Sequence, residues 1–227
     1  MQEGEARMER QAVKKLYTEN ASFYHRLFVD WFLYGKGLKA ALRKHIGLRP
    51  GMKVLDAGCG TGILTRNLYE IARENGLQDL EFHGLDLTPA MMELFETWIS
   101  DRTATGITLQ QADVLKPEQL PQTWRNHDVV VSSGMLEYLS RDEIVDAFKN
   151  LNGLLGEDGT MMVFITRKNI LNRWLIQAWW KGNMYTRDEI SRIFHDAGLS
   201  MEFRRFPFPY SHLNLWGHVM VAKKKTG

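Results

Sequence analysis

Apolar positions along this chain alternate between two spacings. Short runs at 52–56, 80–85, 107–110, 128–132 and 160–165 are dense in aliphatic residues, as strands of a buried sheet are. Between them lie longer stretches with apolar residues three and four apart, the spacing of amphipathic helices. The pattern predicts helices over about 7–18, 21–33 and 38–46, with Gly35 and Gly37 breaking the chain between the last two. Further helices are expected up to about Glu74, from Thr88-Pro89 onward, over 141–155 and over 187–197. Pro89 suits a first helical turn because its missing N–H would have no partner there. Thr186 and Glu189 are spaced as a capping box, and Gly198 ends that helix. Gly156 to Gly159 reads as a turn before the fifth strand, and two β-type segments close the chain at about 200–206 and 216–222. A strand–helix alternation of this kind builds a parallel sheet covered by helices on both faces.

Composition changes the picture little. The 227 residues are 44% hydrophobic and 25% charged, an ordinary globular mix. A net charge of +2, from 29 basic and 27 acidic residues, advertises no global field for nucleic acid. The run Lys223-Lys224-Lys225 is read as a solvated tail. A single cysteine, Cys59, rules out an internal disulfide, and the seven histidines lack metal-site spacing, so no metal is expected. No apolar run reaches the roughly 18 residues that span a bilayer, and the polar N-terminus is unlike a secretory signal. A cytoplasmic location is the expectation.

The chemistry concentrates at Val54-Leu55-Asp56-Ala57-Gly58-Cys59-Gly60-Thr61-Gly62, where a strand meets a helix through glycines. A dinucleotide site wants G-x-G-x-x-G, but Ile63 stands at the sixth place. A phosphate loop wants Gly-Lys-Ser/Thr, which is absent. Asp56, just before the turn, would repel a pyrophosphate and suits a cationic ligand. Cys59, hemmed in by glycines beside that acid, is read as a small buried residue and not as a nucleophile.

The turn resembles that of the class I S-adenosylmethionine-dependent methyltransferases, an acid followed by G-x-G-x-G, and Asp56 through Gly62 match it. Three further segments are similar to that family's in order and spacing. Asp86 and Leu87 after the second strand stand where the family binds ribose. Ala112, Asp113 and Val114 after the third stand where it contacts adenine. Ser132, Gly134 and Met135 after the fourth stand where it lines the methyl-transfer pocket. The resemblance covers about residues 45–222. It implies a Rossmann-like three-layer α/β sandwich with a mostly parallel seven-stranded sheet and an antiparallel C-terminal strand. N-terminal helices over 1–46 would form a lid on a catalytic domain at 47–227. The implied cofactor is S-adenosyl-L-methionine, with S-adenosyl-L-homocysteine as product. The implied cofactor-binding set is Asp56, Gly58, Cys59, Gly60, Gly62, Asp86, Leu87, Ala112, Asp113, Val114, Ser132 and Gly134.

The acceptor is less legible. The absent Asn/Asp-Pro-Pro-Tyr motif, replaced by Ser133-Gly134-Met135-Leu136, and the lack of a second cysteine weaken DNA-type substrates. Candidates for a general base are His25, Glu137, Tyr138, His195 and His212, with His25, Glu137 and Tyr138 placed first. Tyr24, Phe28, Trp31, Met135, Trp174 and His212 are the candidate acceptor contacts. The aromatic N-terminal residues have two readings, a lid or a cover for the sheet. Trp174, Trp179 and Trp180 have three, a pocket wall, core, or a membrane-interface contact. The expectation is methylation of a small or lipid-like molecule with an apolar or aromatic portion. RNA or protein methylation, or non-catalytic cofactor binding on the same fold, stand as the alternatives.

Overall fold

The computed structural model describes residues 33–168 and 183–225. Seven strands form one sheet: β1 (Lys53–Ala57), β2 (Glu81–Asp86), β3 (Ile107–Gln111), β4 (His127–Ser133), β5 (Leu155–Thr166), β6 (Leu199–Arg204) and β7 (Gly217–Lys224). Their spatial order is β3-β2-β1-β4-β5-β7-β6. The pairs β1–β2, β1–β4, β2–β3 and β4–β5 are parallel, and β7 runs antiparallel to both β5 and β6. This is the mostly parallel, Rossmann-like sheet with one antiparallel C-terminal strand that the resemblance implies.

The helices are α1 (Tyr34–His45), α2 (Ile63–Glu74), α3 (Pro89–Asp101), α4 (Arg141–Leu154) and α5 (Arg187–Asp196). Alternation along the central strands divides the core in two. Leu55, Val130, Val163 and Met220 turn to one side, with Phe148 of α4 and Phe194 of α5. Val54, Val131, Phe164 and Val219 turn to the other, with Leu38 and Leu42 of α1 and Leu64 and Leu68 of α2. Strands that bury both faces read as continuous apolar runs, which is why β4 and β5 stand out in the sequence. The two capping boxes, Ser140 with Glu143 on α4 and Thr186 with Glu189 on α5, are both closed. Each satisfies backbone N–H groups that a helix start otherwise leaves unpaired.

Three local expectations are corrected. Gly35 and Gly37 do not break a helix but lie inside α1. A Cβ on Gly37 would sit 2.1 Å from Leu213 Cδ1, so this glycine answers a tertiary contact and not a bend. The 156–159 turn is an excursion within β5: three residues of β4, from His127 to Val129, face six of β5, from Leu155 to Thr160. The lysine run is the end of an ordered strand and not a tail. Lys223 and Lys224 pair with Ser200 and Leu199, and Lys224 Nζ donates to Glu157 Oε1 at 2.9 Å.

Candidate functional site

The strand order brings the ends of β3, β2, β1 and β4 side by side, so the four segments singled out by sequence converge on one edge. Ligands of open α/β sheets bind at this carboxyl edge, where the strand order reverses. The glycine turn is anchored there by two backbone bonds, Gly58 N–H and Cys59 N–H both donating to Leu85 O at 2.8 and 2.9 Å. Gly62 caps α2 with φ +84°, and a Cβ on it would meet Phe95 at 2.3 Å. Only glycine meets both conditions. Gly58 is roofed by Met135, whose Cβ lies 2.4 Å from where a Gly58 Cβ would be. Gly60 and Gly134, also with positive φ, have nothing within 4 Å of an added Cβ. These two open glycines, one on the turn and one after β4, leave main chain that a ligand can approach.

Asp86 is the pivot. Its Oδ2 accepts from Gly60 N–H at 2.8 Å and its Oδ1 from Thr88 N–H at 2.8 Å. These donors, with the Thr88 hydroxyl and Leu87 N–H also bonding to the carboxylate, fix it in place at the strand end. Asp86 is half-buried, and burial raises its pKa against the pull of those N–H donors. Leu87, beside it, is an exposed apolar residue. The neighbouring β3 end is drawn in by Ala112 N–H donating to Asp86 O at 3.1 Å. Ala112 and Val114 are buried in the core, so Asp113 carries this segment's half-exposed polar side chain. Asp113 Oδ1 accepts from Leu115 N–H at 3.0 Å.

Asp56 is only 1% exposed. Its Oδ2 accepts from the Thr65 hydroxyl at 2.7 Å and from Thr65 N–H at 3.1 Å, while Oδ1 has no hydrogen-bond partner. Burial, with Asp86 nearby, pushes its pKa up to about 7 despite the Thr65 bonds. A carboxyl so placed favours a neighbouring cation, which would restore its ionised form. The Cys59 thiol is held well above its usual range, first by burial and then by the Asp56 charge, so it is no nucleophile.

The β4 end supplies the rest. Ser132 is fully buried with an unpartnered hydroxyl. Ser133 Oγ and Tyr34 OH share a hydrogen bond of 3.1 Å. Glu137, in the short 3-10 turn Leu136–Tyr138, is buried with its Oε1 accepting from Thr166 N–H at 2.8 Å. Its Oε2 is buried without a partner, and burial raises its pKa. The Tyr185 hydroxyl is likewise buried and unpartnered, and burial with the Glu137 charge pushes it up to about 12. Tyr138 is half-buried on the same turn, and His212 is exposed on the short helix Tyr210–Leu215. His195 lies exposed on α5, its ring beside Asp196. His25, Tyr24, Phe28, Trp31 and Trp174 lie outside the described residues.

Thr65 and Tyr185 are the residues sequence reasoning missed, since neither sits in a motif; Tyr34 was expected among the aromatic residues that could close over the acceptor. No group of three or more metal-ligating side chains occurs among the described residues, and none of their helices is long and apolar enough to cross a membrane.

Residues 54–159 match the family model described as a methyltransferase domain. The chain is 26% identical over 136 residues to malonyl-[acyl-carrier protein] O-methyltransferase of Anoxybacillus flavithermus, covering 60% of this chain and 46% of that protein. It is 30% identical over 119 residues to a ubiquinone/menaquinone biosynthesis C-methyltransferase of a Shewanella species, covering 52% and 43%. It thus spans less than half the length of these curated relatives. Among solved structures, magnesium protoporphyrin IX methyltransferase of Synechocystis with bound S-adenosylmethionine shares the fold. The TM-score is 0.68 at 18% identity, covering 96% of this chain and 97% of that one.

Proposed function

We propose that this chain is a class I S-adenosylmethionine-dependent methyltransferase, in keeping with its match to the methyltransferase-domain family, and that it transfers a methyl group to a small or lipid-like acceptor with an apolar or aromatic portion. The observation that carries the cofactor half of this reading is the Asp86 carboxylate. It presents a pair of acceptor oxygens, each fixed in place by an N–H group, of Gly60 and of Thr88. Two adjacent ribose hydroxyls need that pair of acceptors. The open main chain at Gly60 and Gly134 and the unpartnered Oδ1 of Asp56 fit a ligand with a cationic amino-acid end. In this reading Gly60 holds that end, on a turn shaped by Gly58 and Gly62, Asp86 holds the ribose, and Leu87 and Asp113 the base. S-adenosylmethionine, when bound, supplies an electrophilic methyl group on its sulfonium. The protein then has to orient the acceptor and exclude water.

The acceptor half rests on the surroundings of β4. Tyr34, Phe206, Tyr210 and Trp216 pack at one apolar cluster, and the Tyr34–Ser133 hydroxyl pair adds a polar contact at its rim. Such a mix suits an aromatic or isoprenoid-like molecule bearing one polar group. The relative named as a ubiquinone/menaquinone biosynthesis C-methyltransferase agrees with that class. Glu137 and Tyr138 stand as candidate bases, and the bond that Glu137 accepts from Thr166 N–H ties their turn to the β5 end. Incubating the purified chain with methyl-labelled S-adenosylmethionine and separated metabolite, lipid, RNA and protein fractions tests the reading. Label is expected in the organic-soluble small-molecule fraction, and label confined to RNA or protein would overturn it.

A further inference from the structure

The near-neutral charge of the chain conceals a segregation. Residues 31–55 and 203–227 contain no aspartate or glutamate at all. The fold brings these two stretches together. Gly37 lies against Leu213 and Tyr210, the Tyr34 and Phe206 rings are 6.4 Å apart, and His45 Nε2 lies 3.2 Å from Arg205 O. Some of the resulting positive charge is offset, Lys39 by Glu70 and Glu74, Arg43 by Glu74, and Arg204 by Glu202. Lys36, Lys44 and Arg205 are exposed and make no ion pair among the described residues.

The same face presents exposed apolar side chains. Phe208 is 90% exposed and Leu215 60%, and Leu33, just before α1, is 44% exposed. The loop carrying Phe208 is not loose. Asn214 Oδ1 accepts from Phe206 N–H at 2.9 Å, and Asn214 Nδ2 donates to Phe206 O and Ser211 O at 3.2 and 2.8 Å. Arg167, at the end of β5, adds bonds to Asn214 O and Trp216 O. A phenylalanine held out into water by a clamped loop, in a setting of cations, carries an unfavourable hydration cost that a partner relieves.

We infer that this face docks on an anionic lipid surface. Phe208 and Leu215 enter the boundary between headgroups and acyl chains, while Lys36, Lys44 and Arg205 face the lipid phosphates. The arrangement favours a lipid surface over an acidic protein. Isolated apolar tips on a projecting loop, with dispersed cations, suit a fluid surface that needs no complementary shape, whereas a protein partner needs a broad matched patch. The face adjoins the Tyr34–Ser133 pair at the end of β4, so a lipid-like acceptor would reach the site along it.

The test is co-sedimentation of the full chain with vesicles of phosphatidylcholine alone or mixed with phosphatidylglycerol, without cofactor. Its outcome is therefore independent of the methyl-transfer reading. The chain is expected to sediment with the anionic vesicles and to be released by salt. Phe208→Ser should lower the partition coefficient about tenfold with circular dichroism unchanged, since its side chain is exposed. A Lys44→Glu, Arg205→Glu double variant should lose binding to the anionic vesicles by about tenfold or more, two charges being reversed. Equal sedimentation of wild type and Phe208→Ser would overturn the proposal. So would a wild type that ignores anionic vesicles yet is retained by an immobilised acidic protein.

Discussion

The two ends of β4 are built on opposite rules. At its start, His127 is fully buried, and both ring nitrogens are engaged, Nδ1 with Leu154 O at 3.0 Å and Nε2 with His83 Nδ1 at 2.9 Å. A carbonyl only accepts, so Nδ1 of His127 carries the proton and its Nε2 accepts from His83. The His83 ring also stacks on Trp124 at 4.4 Å. At the other end of the strand, Ser132 Oγ is buried and unpartnered, and Asp56 Oδ1 and Glu137 Oε2 share that condition near the same edge. Buried polar atoms left unpaired are costly. A fold that satisfies its polar groups at one end and leaves acceptors open at the other has reserved the second end for a ligand.

The comparison breaks most visibly at the turn that shapes the open end. Gly62→Val puts a β-branched side chain at φ +84° and against Phe95. Chemical denaturation should show a loss of about 3 kcal/mol or more, and an unchanged midpoint would mean the turn is looser than described.

The closed end has a distinct acid signature. Burial holds His127 down to about 4, and burial also lowers its neighbour His83. A histidine depressed in the folded state resists a proton that the unfolded chain accepts near pH 6.5. Its contribution is therefore fully present above that pH and is lost as pH falls toward 4. Stability should decline by up to about 1.4 kcal/mol per pH unit for each such histidine. Urea midpoints across that window should fall in the wild type and fall less steeply in His127→Asn. Parallel profiles would show that the pair is not the source.

At the open end, Asp56 predicts a dependence on pH of similar sense but different origin. Its carboxyl is pushed up to about 7 by burial, and a cationic ligand favours the ionised form. Affinity for S-adenosylhomocysteine should therefore rise with pH up to about 7 and then level off. The slope below 7 should approach tenfold per unit, and a flat profile would place the ligand's amino group elsewhere.

How legible this contrast was in the sequence depends on the range of the contacts behind it. The strand–helix rhythm, Pro89, the Thr186–Glu189 box and the glycine turn each depend on neighbours in the chain, and each is found where local reasoning placed it. Asp86 was legible for the same reason, as an acid at a strand end. Gly37 was misread because Leu213, the residue that requires a glycine there, lies far along the chain. The β5 excursion and the ordered Lys223–Lys224 pairs depend on partner strands that periodicity does not identify. The Tyr34–Ser133 bond is of the same long-range kind. Cys59 was read as a small buried residue, which it is, although burial outweighs the Asp56 charge to which its raised pKa was first ascribed.

The central claim is that the open end binds S-adenosylmethionine through Asp86, and calorimetry with S-adenosylhomocysteine measures it directly. The wild type is expected to bind with unit stoichiometry, and Asp86→Ala to lose roughly 1.5–3 kcal/mol of binding free energy while keeping its fold. No heat of binding for the wild type, or equal affinity for the variant, would contradict the account.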